Sequence, residues 1–301
     1  MKTRVLWLLA CACLASAFAC SGAVVQPSPP ASTKVSTVAR STMATSDGVS
    51  LAYEVRGVGE VALVFVHCWA CDRSFFRDQL DVFDDEFQVV ALDLPGHGMS
   101  GRREGGRILD LGEDVARLVR ALDLKDVILI GHSMGGPVSL AAAARLPGTV
   151  KGVVCLDTLH NAELVPPPEM VEQMTAAFAA DFEATMEGFV RSAFPPTASP
   201  ETVDWVVQKA LSADRATALE LIRDFPTLDL TTLFEGAGVP IRCINAAPRG
   251  PGGTTTETEI NRRHADFDAE VVEDVGHFLL LENPEEINPR IRRYLEELAK
   301  R

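Results

Sequence analysis

The stretch Gly131-His132-Ser133-Met134-Gly135 constrains this chain more than any other. An apolar run at residues 127–130 precedes it, and a small-residue segment compatible with helix follows at 137–145. A G-x-S-x-G set between a strand and a helix holds its serine on a sharp turn at strained backbone angles. Bulky neighbours would collide there, and Gly131, Gly135 and Gly136 remove them. Such a turn lifts the Ser133 hydroxyl above a sheet and aims the first helical N–H groups at a reacting oxygen. The glycines at 105–106 and 250–253 lack that strand-to-helix setting, so neither forms a dinucleotide or phosphate loop. No cofactor motif is read.

The rest of the chain supplies a frame for that turn. Apolar strand patterns occupy residues 51–56, 61–67, 87–94, 127–130 and 150–156. Helical spacing fills the gaps, at 72–83 through Phe75, Phe76, Leu80 and Phe83, and at 109–122 through Leu111, Val115, Leu118, Val119 and Leu122. Continuous apolar strands alternating with helices predict an α/β fold, a mostly parallel sheet covered on both faces. The rhythm breaks at 161–236, a helix-rich stretch divided by Pro166-Pro167-Pro168, Pro195-Pro196 and Pro200. Strand patterns return at 240–246 and 268–275, and a helix closes the chain at 283–298. The expected organisation is a core at 42–160, an inserted helical cap at 161–236, and the second part of the core at 237–301. Met170, Met174, Phe178, Phe182, Met186 and Phe189 recur in the cap at about one helical turn. That stripe suits either core packing or the wall of an apolar pocket.

Before the core lies a different kind of sequence. Met1-Lys2-Thr3-Arg4 is basic, and residues 5–19 are apolar apart from Ser16. That run is shorter than the roughly 20 residues a bilayer span needs. It reads as a secretory signal at 1–19, ending in the small-x-small site Ala17-Phe18-Ala19. Cys20 then leads a Ser/Pro-rich tether at 20–41, which resembles the start of a bacterial lipoprotein lipidated at that cysteine. The expectation is an exported protein, facing the periplasm or exterior and held to a membrane through a lipid anchor. The formal charge of −14 argues against nucleic acid and anionic membrane surfaces as partners. Cys155 and Cys243 fall inside apolar strand runs and read as buried small hydrophobes. Cys68-x-x-Cys71 has no second pair to complete a zinc site, which leaves a disulfide or two free thiols.

A nucleophilic serine needs a base. Of the chain's 6 histidines, His277 follows a strand and Gly276 near the chain end, the position expected for the base. His67 ends a strand, His97 lies in a Pro-Gly-His-Gly turn, and His132 adjoins the serine but points elsewhere. His160 opens the cap, and His264 lies in a polar helix.

Taken together, residues 42–301 resemble a serine-dependent α/β-hydrolase with a helical cap. The resemblance rests on the Gly131–Gly135 turn and on Asp93-Leu-Pro-Gly-His-Gly-Met-Ser100, similar to the family's D-x-P-G-x-G-x-S turn. It rests also on Val275-Gly276-His277-Phe278 with Glu282-Asn283-Pro284, and on Val66-His67-Cys68-Trp69 in place of the oxyanion loop. It implies Ser133 as nucleophile, His277 as base, and the amides of Trp69 and Met134 as oxyanion donors. It also implies a small-molecule acyl substrate, such as a carboxylic ester, and no cofactor or metal. The chain departs from the family's pattern twice. Cys68 stands where glycine is usual. The loop after strand 240–246 reads Asn245-Ala-Ala-Pro-Arg-Gly-Pro-Gly-Gly, with Arg249 near the usual carboxylate, and only Glu257 and Glu259 as acids from 236 to 265. Asp157, at the end of the preceding strand, is therefore the expected acid, with Glu257 second. Because the acid and loop depart, a binding module with little turnover is the alternative; an acyltransferase or perhydrolase is another.

Overall fold

The computed structural model describes residues 38–249 and 254–301. The expected signal at 1–19, Cys20 and most of the 20–41 tether lie outside the described residues, as do residues 250–253.

The chain opens with β1 (Ala39–Ala44), β2 (Ser50–Arg56) and β3 (Ala62–Val66), and a 3₁₀ turn then runs into α1 (Arg77–Phe83). β4 (Gln88–Leu92), α2 (Ile108–Ala121), β5 (Val127–His132), α3 (Gly135–Ala143) and β6 (Val150–Leu156) follow. Next come α4 (Pro168–Ala180), α5 (Phe182–Ser192), α6 (Pro200–Leu211), α7 (Arg215–Asp224) and α8 (Leu230–Ala237). β7 (Ile241–Ala246), α9 (Thr258–Asn261), β8 (Phe267–Val272), α10 (Leu279–Glu282) and α11 (Pro284–Leu298) complete the chain.

The strands form one sheet in the order β1-β2-β4-β3-β5-β6-β7-β8. β2 runs against both of its neighbours, and all pairings from β4 to β8 are parallel. Period-two alternation gives the sheet two cores. Leu63, Phe65, Ile128 and Ile130 face a layer that includes Leu80, Phe83, Ile291 and Leu295 of α1 and α11. Val64, Val66, Val127 and Leu129 face Val115, Leu118, Val138 and Leu140 of α2 and α3. A strand buried on both faces reads as continuously apolar, which is why β5 carries no polar residue before His132.

Helix starts follow from local chemistry. The Asp181, Asp214 and Asp229 carboxylates accept backbone N–H bonds that open α5, α7 and α8. Pro168, Pro200 and Pro284 take the first helical turns of α4, α6 and α11, where a missing N–H costs nothing. α8 ends at Gly238, whose φ of 65° is the left-handed cap conformation.

Three expectations change. Pairing begins at Ala39, inside the stretch read as tether, because residues 39–44 find a ready partner in β2. α8, read as part of the cap, packs on α3 and joins the layer beneath the sheet, with Phe234 in that core. His264 follows α9 instead of lying in a helix, since α9 ends at Asn261. The Met/Phe stripe also divides. Phe178, Phe182 and Met186 are buried, whereas Met170 and Phe189 are 59% and 42% exposed at its ends. Among the described residues no helix is long and apolar enough to cross a membrane.

Candidate active site

Ser133 sits between β5 and α3 at φ 53°, a left-handed conformation that costs a serine energy and is held by its surroundings. Its N–H donates to Leu156 O at 3.0 Å, and its carbonyl accepts Gly136 N at 2.9 Å. The flanking glycines are sterically required. A Cβ on Gly131 would lie 2.3 Å from Gly135 O, and one on Gly135 would lie 2.1 Å from Val66 O.

Asp157 follows the last residue of β6, also at positive φ (46°), with its N–H bonded to Ile244 O at 2.9 Å on the adjacent strand. One carboxylate oxygen, Oδ2, lies 2.6 Å from His277 Nδ1. The other accepts Ala246 N at 2.8 Å, and His160 Nε2 stands 3.8 Å from it. Burial pushes this carboxyl up, but the His277 bond and charge, His160 and the Ala246 amide outweigh burial and leave it below the usual range. An ionised Asp157 accepts a hydrogen bond from Nδ1–H, which leaves His277 Nε2 as a lone-pair acceptor.

His277 is held from several sides. Its N–H donates to Ala193 O at the end of α5 (2.9 Å), and its carbonyl accepts His132 Nε2 (2.7 Å). Glu282 accepts the amides on either side, Gly276 N at 2.8 Å and Phe278 N at 3.1 Å. The His132 ring lies 5.0 Å from the His277 ring, and burial lowers the His132 pKa to about 3, so His132 is a neutral donor through Nε2. No hydrogen bond joins Ser133 Oγ to His277, but both residues line the same two cavities. Such contacts are often long before substrate binds.

The loop after β3 faces Ser133 from the other side. His67 Nε2 accepts Leu94 N at 2.9 Å, so its proton is on Nδ1, which donates to Cys68 O at 2.8 Å. His97 works the same way, accepting Ala70 N at 3.3 Å and donating from Nδ1 to Pro95 O at 3.0 Å. Burial lowers the two pKa values to about 4 and about 3, which keeps both rings neutral. Among the described residues, the amides of Trp69 and Met134 make no hydrogen bond within the protein. Both residues line the cavity that holds Ser133 and His277.

Two cavities meet at Ser133 and His277. One, of about 440 Å³, is apolar, with Met170, Met174, Met186, Val190, Ile222 and Phe278 in its wall. The other, of about 750 Å³, includes Thr158, His160, Asn161, Ser192 and Arg249. Arg249 donates to Ala193 O at 2.9 Å, and so braces the carbonyl that also holds His277.

The structure thus brings Ser133, His277, Asp157, Trp69 and Met134 to one site. Glu257, the second choice for the acid, is exposed and makes no side-chain bond to His277; its amide caps His160 O at 2.7 Å. No local pattern signals that His132 and His160 contact this group: His132 meets it across 145 positions, and His160 through the turn it shares with Asp157 after β6. Among the described residues, no cluster of three or more His, Cys, Asp or Glu is placed to hold a metal ion.

The family comparison agrees with this architecture. A family model described as "alpha/beta hydrolase fold" matches residues 61–204. That match spans just under half of the chain, which has the α/β-hydrolase fold. It is 28% identical over 283 residues to a non-heme chloroperoxidase of Streptomyces lividans, covering 85% of this chain and 99% of that protein. It is 34% identical to 2-(acetamidomethylene)succinate hydrolase of Mesorhizobium japonicum, over 36% of this chain and 39% of that one. A thermophilic esterase from Thermogutta terrifontis superposes with a TM-score of 0.73 at 24% identity, over 87% of this chain and 99% of that one. With several curated relatives the match spans less than half of the relative, from 29% to 42%.

Proposed function

We propose that this protein is a serine hydrolase that cleaves carboxylic esters with an apolar acyl group through an acyl-enzyme. The observation that carries the reading is the 2.6 Å contact between Asp157 Oδ2 and His277 Nδ1 beside a serine held at φ 53°. Ser133 Oγ attacks the ester carbonyl, and His277 Nε2 takes its proton and passes it to the departing alkoxide. Trp69 N–H and Met134 N–H bind the oxyanion as it forms. Water, deprotonated by His277, then releases the acid and returns the serine. The uncharged 440 Å³ cavity suits a medium-sized acyl chain, and the more polar cavity suits the alcohol portion.

The test is a fluorophosphonate probe on the full chain, with p-nitrophenyl esters of increasing chain length as substrates. Labelling and turnover lost in Ser133→Ala and greatly slowed in Asp157→Asn would support the assignment. Labelling indifferent to Asp157 would overturn the choice of acid, and an unlabelled parent protein would overturn the hydrolase reading. The chloroperoxidase similarity favours a second reading, in which peroxide replaces water as acyl acceptor. Peracid formed in place of acid when peroxide is added would identify it.

We also propose export with an anchor at Cys20. The mass of the mature N-terminus tests this, and a chain that retains residues 1–19 would overturn it.

A further inference from the structure

We propose that the Cys68–Cys71 disulfide is a positioning element of the oxyanion site, so that turnover depends on its oxidised state. The inference rests on the serine hydrolase reading above and concerns the aim of one donor, the Trp69 amide.

That amide and the Cys68 carbonyl are the two ends of one planar trans peptide. The carbonyl end is tied twice, by His67 Nδ1 at 2.8 Å and by Cys71 N at 3.3 Å. The N–H end, which points the opposite way in a trans peptide, makes no bond within the protein. Fixing the carbonyl therefore fixes the direction of the Trp69 N–H.

The longer of the two ties, from Cys71 N, is the one the disulfide closes, with the Cα atoms 5.3 Å apart. The closed ring also confines Ala70, which stands at φ 55°, a left-handed conformation that strains an alanine. Cys68 itself is not at positive φ, so a side chain fits where the family pattern has glycine, and the backbone strain falls on Ala70. Both half-cystines are buried, at 2% and 6% exposure, and both line the apolar cavity beside Ser133.

Reduction by a dithiol transfers two electrons and two protons. The S–S bond breaks, Cys68 and Cys71 become thiols, and the reductant leaves as its own disulfide. Two sulfurs held at about 2 Å must then part to non-bonded distance inside a packed wall. Cys71 N is released from Cys68 O, and the peptide that aims Trp69 N–H loses one of its two ties. Cys155 and Cys243, side by side on β6 and β7, are buried and unpaired in this structure and serve as an internal reference for thiol mapping.

The experiment uses the full chain, alkylated and peptide-mapped before and after dithiothreitol, with ester kinetics and probe labelling at each stage. The expected result is a bond mapped to Cys68 and Cys71, and on reduction a fall in kcat of about tenfold with KM nearly constant. That is less than the 10²–10³ lost when an oxyanion donor is removed outright. Reoxidation restores the rate, and the Cys68→Ala/Cys71→Ala double variant sits at the reduced level, indifferent to dithiothreitol. The double variant, with folding checked by its melting transition, decides the outcome where reduction unfolds the parent. An unchanged kcat with the bond shown broken overturns the inference and leaves Ser133-dependent labelling, hence the hydrolase reading, standing. Free thiols at both positions in the active parent protein also overturn it. Absence of Ser133-dependent turnover in the oxidised protein overturns both.

Discussion

Asp157 divides its two oxygens between different tasks: Oδ2 meets His277, and Oδ1 anchors to Ala246 N. Replacement by asparagine keeps the shape but offers His277 either an amide carbonyl or an N–H₂ group. Where the N–H₂ faces Nδ1, the proton moves to Nε2 and the base is lost, which in the serine protease triad costs about 10⁴ in kcat. A fall of about that size in Asp157→Asn, measured as ester kcat with KM little changed, is the expected outcome. A fall of less than about tenfold would mean that His277 is oriented without the acid. Ser133 and His277 were legible because their neighbours are local, glycines in one case and Gly276 after a strand in the other. Asp157 was legible only as a strand-end acid made necessary by the acid-poor loop at 246–256. The roles of His132 and His160 were not legible. His132 reaches its partner across 145 positions, and His160 touches Asp157 because both leave β6 on the same turn. A histidine beside a nucleophile gives no local sign of which carbonyl it will meet.

At the scale of elements, the glycines separate backbone necessity from mere tolerance. A Cβ at Gly135 would meet the Val66 carbonyl of β3, a backbone atom that cannot move without disturbing the sheet. Gly188 in α5 and Gly236 in α8 have nothing within 4 Å of the same position. Gly188→Ala and Gly236→Ala are therefore expected to stabilise the protein by about 0.5–1 kcal/mol each, through helix propensity alone. Gly135→Ala is expected to destabilise it by about 1–3 kcal/mol or more and to abolish ester turnover. Denaturant midpoints measure all three, and stability unchanged in Gly135→Ala would remove the steric account of the turn. The strands and long helices were legible because burial on both faces imposes long apolar runs. β6 matches its expected span, and β5 and α11 start or end within two residues of theirs. β1 was missed because an edge strand needs no apolar face, and five of its six residues are exposed. α8 was assigned to the cap because order along the chain does not tell which layer a helix joins.

Across the whole molecule, acid stability is set by histidines that the fold keeps neutral. His67, His97 and His132 are pushed by burial from 6.5 to about 4, 3 and 3. Below pH 6.5 the unfolded chain takes up protons on all three while the folded chain does not, so their contribution is lost as pH falls. Each such group weakens folding by about 1.4 kcal/mol per pH unit, or about 4 kcal/mol per unit for the three together. Against a typical total stability of about 5–15 kcal/mol, two pH units in that range matter. Some groups act the other way. His264, raised by hydrogen bonds to Glu163 and Glu235, favours the folded state on protonation, but its partners are exposed and screened. Asp93, Asp114 and Glu282 are raised by burial, so their protonation favours the folded state only as pH nears the carboxylate range. The formal charge of −14 relaxes in that same lower range, because the carboxylates that carry it titrate there. Between about pH 6.5 and 5 the histidines therefore prevail. The denaturant midpoint should fall steeply across that interval, and His97→Gln, where it folds, should flatten the slope by about one third. A midpoint level from pH 7 to 5 would show that these rings are protonated in the folded protein, and would undo the tautomers that tie the Cys68 carbonyl and the His277 loop.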